Sequence, residues 1–161
     1  MSDTPVRDFG PRVFVPPPLF FVGGWIGAWL LHSRVPFEID GAGPGAVQTL
    51  LGVILLGAGL ALMGWGIVMF QRSKTPVVPM KPARLVVTHG PYRFTRNPMY
   101  LGLTAAYVGL AVLLNFAWPI VFLPVVLLVL STAVIEREER HLRAKFGTAY
   151  EEYCARVRRW L

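Results

Sequence analysis

The chain has 161 residues, 54% of them hydrophobic, with a formal net charge of +7 and a single cysteine. That length implies one domain, and the apolar content with a mean hydropathy of +0.51 points to a bilayer protein rather than a soluble enzyme. A pI near 10.2 would suit nucleic acid, but the basic residues follow membrane topology and form no patch on a soluble domain. The lone Cys154 excludes an intramolecular disulfide or a multi-cysteine metal site.

The first 18 residues hold five prolines, mixed charge and no apolar core of the signal-peptide kind, so insertion through the chain's own helices is expected. Val15-Pro16-Pro17-Pro18 reads as a stiff lead-in. Apolar runs then predict spans at about 17–33, 47–70, 99–114 and 118–135. The second is long enough to cross outright; the apolar runs of the others fall below the usual ~20 residues. On its small residues, Gly57, Ala61 and Gly64 lie at i, i+4 and i+7, a face that lets a neighbouring helix approach closely and also permits a homodimer.

The loop 71–97 is more polar. Lys74 to Pro82 carries three prolines, which disfavours helix and predicts an extended segment. Leu85-Val86-Val87-Thr88 reads as a short strand or re-entrant piece, and His89-Gly90-Pro91-Tyr92 as a turn. Asn97-Pro98 is a helix start, with Asn97 as N-cap and Pro98 at the first helical position. The opening turn of that helix, beside Arg96 and Tyr100, suits an anionic group; a capped helix with Arg96 reaching lipid headgroups is the plainer alternative.

From Leu101 to Ile135 the chain is apolar, and as one helix it would reach about 52 Å against a ~30 Å hydrocarbon core. Asn115 and Pro119 near its middle predict two helices and a tight turn. The hairpin returns the chain to the side it left, so the motif around Arg96 meets Glu138-Glu139 at one membrane face. Arg34 is the only basic residue in the loops 32–46 and 115–117, and all other Lys and Arg fall at the opposite side. Positive residues stay cytoplasmic, so both termini and the long loop are expected there. The expected fold is therefore an all-α integral membrane protein of about four transmembrane helices, with a C-terminal helical hairpin and a cytoplasmic C-terminal helix.

Ionisable groups as close to a span as Glu138 and Glu139 are functional candidates. Glu139 and Arg143 at i, i+4 also form an ordinary helix pair. Glu138 and His141 look like half of a carboxylate-bridged metal site, but the second half is missing, and no metal is expected. Two acids opposite an Arg–Tyr cluster match a zwitterionic, cationic ligand: the acids take an ammonium, Arg96 and the helix end a carboxylate, and the ring of Tyr92 or Tyr100 a sulfonium.

The order Thr-His-Gly-x-Tyr, Arg-Asn-Pro-x-Tyr-x-Gly, an apolar hairpin, Glu-Glu, Phe-Gly and Tyr-x-x-Tyr resembles the isoprenylcysteine carboxyl methyltransferase family, which is related to membrane phospholipid methyltransferases. The likeness is close from about Pro79 to Leu161 and loose over the proline-led first span, which is similar to that of small bacterial members. It implies one membrane methyltransferase domain over 1–161 in a bacterial inner (plasma) membrane, with a cofactor region at 75–100 plus 136–161. The implied cofactor is S-adenosyl-L-methionine, held by His89, Gly90, Tyr92, Arg96, Asn97, Pro98, Tyr100, Glu138 and Glu139. Arg96 and Tyr100 are the implied catalytic pair, and Arg93 or Arg96 would position an anionic acceptor. Two departures stand out. Asn97 replaces the family's usual His, keeping hydrogen bonding but not titration. Thr132 to Ile135 is uncharged where the eukaryotic enzymes carry basic residues.

The expected partners are membrane lipids and a lipophilic small-molecule acceptor such as an isoprenylcysteine-like carboxylate, with no nucleic acid. A sulfonium is already an activated electrophile, so proximity and desolvation can provide much of the acceleration. Two alternatives remain. An NADPH-dependent reductase related to membrane sterol reductases has a similar Arg-His-x-x-Tyr segment but little need for two carboxylates. A non-catalytic membrane assembly protein would keep the scaffold and bind no cofactor.

Overall fold

The computed structural model describes residues 15–74 and 85–161. The expectations for the segment before Val15 and for most of the proline-rich stretch fall outside these residues. Six helices follow in order: α1 (Pro18–His32), α2 (Ala46–Arg72), α3 (Pro98–Leu113), α4 (Trp118–Leu130), α5 (Glu136–Phe146) and α6 (Thr148–Arg156). Among the described residues there is no strand, only an isolated bridge between Glu38 and Phe116. Leu85 to Thr88 is irregular, not the expected short strand. Val87 is instead buried against Met69 and Tyr92, and Val86 packs against the cluster of Tyr150, Tyr153 and Val157, so side-chain burial fixes this stretch.

Apolar length dictates a membrane-type helical protein. Two helical stretches, Ala46–Arg72 and Trp118–Phe146, are long and apolar enough to cross a bilayer, with α1 and α3 as shorter apolar helices. Their outward faces carry large exposed apolar side chains, among them Leu50, Ile54, Val125 and Leu128, as expected where the surroundings are hydrocarbon.

The closest helix pair is α2 on α3. Its small residues are not the ones the i, i+4, i+7 pattern singled out. Gly57 and Gly64 have open space where a side chain would begin, while Gly52, Gly59 and Gly66, spaced by seven, face α3. A Cβ on Gly59 would sit 2.5 Å from the backbone of Gly102 and Ala106. Both patterns keep one face, and only contact with α3 decides between them.

The α3–α4 turn forms where expected. Asn115 adopts φ +53, a left-handed conformation that Asn tolerates, and Pro119 stands in the first turn of α4. Beyond α4 the helix does not stop at residue 135. A π-helical turn, Ser131–Ile135, joins α4 directly to α5. Its extra residue shifts the buried face by one position, from Val126, Leu130 and Val134 to Ile135 and Glu139. Uninterrupted α spacing from Val134 would have turned Glu138 inward. The π turn therefore determines which glutamate is buried.

Candidate active site

The site lies where the turn before α3, the start of α5 and the segment after α6 converge. Gly90 opens a 3₁₀ turn, Gly90–Arg93, with φ +64. A side chain there would collide with Met69 at 2.8 Å, so backbone angle and packing both require glycine. The turn buries Tyr92, whose ring packs tilted at 52° against Phe70 of α2, centroids 5.3 Å apart. The Tyr92 carbonyl accepts a 2.8 Å hydrogen bond from the Tyr153 hydroxyl of α6.

The two glutamates differ. Glu139 is 4% exposed and surrounded by guanidinium groups. Arg159 meets both its oxygens, Nε to Oε1 at 3.0 Å and Nη2 to Oε2 at 2.8 Å. Arg96 Nη1 lies 3.3 Å from Oε1, and Arg143 Nη2 3.8 Å from Oε2. A buried carboxylate requires such pairing, and the bidentate fork is its strongest form. The hydrogen bond to Glu139 raises the Arg159 pKa against the opposing effect of desolvation, and the carboxylate's charge adds to the rise. Glu138 is half-buried and accepts a 2.9 Å hydrogen bond from the Tyr100 hydroxyl, its one hydrogen bond among the described residues.

The remaining polar atoms are incompletely partnered. The Tyr92 hydroxyl and Arg96 Nε are buried with no hydrogen-bond partner among the described residues. Burial, then the neighbouring Tyr153 and Glu138, holds the Tyr92 phenol protonated far above its ordinary value. Tyr150 is raised likewise by burial, with Cys154 and Glu139 adding; in Tyr153 burial outweighs the opposing pull of Arg96. Arg96 Nη1 also donates to Cys154 Sγ at 2.7 Å.

Several expected site residues therefore occupy positions that their sequence roles did not describe. Arg96 is tied to Glu139 and Cys154 through Nη1, while its Nε has no partner among the described residues. Asn97 stands at the N-cap, but its side chain makes no cap bond. Its Nδ2 instead donates to the Arg159 carbonyl at 3.0 Å, which holds the side chain toward the chain's C-terminal segment. Pro98 is buried at the first turn of α3. His89 is exposed, 3.4 Å from the Ser73 hydroxyl, and Arg93 is exposed on the turn. Of the paired Tyr-x-x-Tyr motif, Tyr150 and Tyr153 form an apolar cluster with Val157. Arg159 was missed. Its sequence neighbourhood, Arg156-Val157-Arg158-Arg159, offers three arginines and no signal to choose among them.

The fold and this site define an all-helical membrane protein with a charged, partly satisfied polar centre at one end of its bundle. A phospholipid methyltransferase family model matches residues 47–149, which spans α2 to α5 and both polar motifs. Two relatives, from Oryza sativa subsp. indica and subsp. japonica, each named "Probable protein-S-isoprenylcysteine O-methyltransferase", are 32% identical over 109 residues. That match takes in 66% of this chain and 57% of each relative, so the chain aligns with little more than half their length. The chain belongs to the phospholipid methyltransferase family. The reductase and assembly-protein alternatives are not favoured by this membership.

Proposed function

We propose that the chain is an S-adenosylmethionine-dependent methyltransferase that modifies a lipophilic acceptor at the cytoplasmic face of a bacterial inner membrane. The observation that carries this reading is the half-buried Glu138–Tyr100 pair, beside a buried Tyr92 hydroxyl that has no partner among the described residues. A carboxylate accepts from an ammonium, and an orphan phenol can donate or accept, so these residues fit the amino-acid end of that cofactor. When bound, S-adenosylmethionine supplies a methyl group on a sulfonium, an electrophile needing no further activation.

The chain's own residues bind and orient. Glu138, with Tyr100 fixing its carboxylate, holds a cationic group. Tyr92 supplies a hydrogen bond, and the buried Val134 and Ile135, against whose cluster Tyr100 packs, give the Glu138–Tyr100 pair an apolar flank. Arg93, exposed at the rim, meets an anionic acceptor head. A carboxylate acceptor needs no general base, so no titrating His is required where Asn97 stands.

A single domain with four spans supports this chemistry. With α1 and α3 at 15 and 16 residues, a locally thinner bilayer or flanking residues accommodate them. The asymmetry of Lys and Arg supports a cytoplasmic position for both termini. The acceptor's apolar part enters laterally between α1, α3 and α4. There Phe21, Tyr107, Val126 and Leu130 pack together, and the Tyr107 hydroxyl has no partner among the described residues.

Calorimetry on detergent-purified protein tests the reading, comparing S-adenosylhomocysteine with NADPH. Saturable binding of S-adenosylhomocysteine alone is expected. NADPH binding would move the reductase to first place, and binding of neither by folded protein would remove the enzymatic reading.

A further inference from the structure

After α6 the chain turns extended at Val157 and runs back across the site. Val157 is buried against Tyr150 and Tyr153. The Arg158 carbonyl accepts from the Arg96 backbone N–H at 3.0 Å. The Arg159 carbonyl accepts from Thr95 Oγ1 at 3.1 Å and Asn97 Nδ2 at 3.0 Å. Trp160 packs against the cluster containing Leu130, Val134 and Ile135. Residues 157–161 thus form a strap whose backbone holds the segment before α3, while its Arg159 side chain holds the start of α5.

Neutralising Glu139 needs one cation, and three are present. Arg143 is at salt-bridge distance only, and Arg96 shares its Nη1 with Cys154. Arg159 alone meets both carboxylate oxygens. Two parallel bonds fix a carboxylate's rotation as well as its charge, which a single contact does not. Glu138 precedes Glu139 on the same helical turn, directly after the π turn, so orienting Glu139 orients the backbone that presents Glu138 to Tyr100.

We propose that the strap is a positioning element of the methyl-donor site, in which Arg159 acts through Glu139 to set the Glu138–Tyr100 pair. The assignment rests on the methyltransferase reading. Arg159 is a positioning residue and not a ligand: both halves of its fork are already engaged, and its backbone is tied on either side of the side chain.

The test is calorimetric titration of S-adenosylhomocysteine into full-length wild type, Arg159→Lys, Glu139→Gln and the double variant, with thermal unfolding followed in parallel. Lysine keeps the charge and loses the fork, so Arg159→Lys is expected to weaken binding about tenfold in protein that remains folded. Arg159→Gln replaces it in the comparison should the lysine variant fail to fold. Glu139→Gln is expected to weaken binding to a similar degree, and the double variant to be no worse than either single change, because both break one link. Fully additive losses would overturn action through Glu139. A variant that is less stable yet binds within twofold of wild type would reduce the strap to scaffolding. Failure of wild type itself to bind would overturn the methyl-donor reading, and the proposal with it.

Discussion

The two ends of the bundle are both closed by polar groups, but they are built differently. At the hairpin end, Asn115 is buried and bonded through both atoms of its amide. Its Oδ1 accepts from the Asp40 N–H at 2.9 Å and Gln48 Nε2 at 3.0 Å, and its Nδ2 donates to the Asp40 carbonyl at 2.8 Å. Gln48 also reaches the Val112 carbonyl, the Ala117 N–H the Phe37 carbonyl, and Trp118 Nε1 the Val35 carbonyl. Those bonds join the loop after α1 to the turn before α4 using neutral groups and backbone. At the other end the groups are charged, Glu139 is over-provided with cations, and the Tyr92 hydroxyl and Arg96 Nε have no partners among the described residues. A fully satisfied network stabilises a fold; a half-satisfied one carries an energetic penalty that a ligand can relieve.

Substitutions at each end can break that contrast. The largest effect is expected from Glu138→Ala, which should lower S-adenosylhomocysteine affinity about a hundredfold, about 2.7 kcal/mol, with the unfolding midpoint close to wild type. A large fall in the midpoint instead would make Glu138 a structural group like Asn115. Next, Asn115→Ala removes three hydrogen bonds and places alanine at φ +53, so a loss of about 2–3 kcal/mol in stability is expected. Donor binding by the folded fraction should not change; chemical denaturation and calorimetry on one preparation measure both.

A smaller and sharper comparison is Tyr92→Phe. It deletes only an unpartnered hydroxyl, so stability should hold within about 0.5 kcal/mol while donor affinity falls about tenfold. Unchanged affinity would mean that the orphan atom has no ligand to meet. The smallest effect belongs to Trp118→Phe, which loses one exposed bond to the Val35 carbonyl. About 0.5–1 kcal/mol of stability is expected from it, with turnover unaffected.

The glycines of α2 show how far a sequence pattern reaches. Spacings of four and seven both mark a helical face, so the sequence shows that close approach occurs. Which face is used depends on where α3 lies, and Gly59 rather than Gly57 proved to be the contact. The same holds for the glutamates. Their nearness to the end of a span identified them as functional candidates. Their unequal environments follow from a π turn over Ser131 to Ile135 for which the residues gave no warning.

By itself the sequence determined the all-helical membrane class, the position of the hairpin, and the meeting of the two polar motifs at one end. These follow from hydropathy, helix length and turn chemistry, which are local properties that any stretch of chain carries with it. The family was legible for a related reason: motif order and hairpin spacing survive without knowledge of contacts. Only the tertiary structure decided that Glu139 is clamped by Arg159, that Arg96 joins that cluster through Nη1, that Asn97 holds a strap instead of capping α3, and that the Tyr92 hydroxyl has no partner among the described residues. Each is a contact between residues 20 or more positions apart, or the absence of one, and burial there ranks partners by geometry that residue type does not encode.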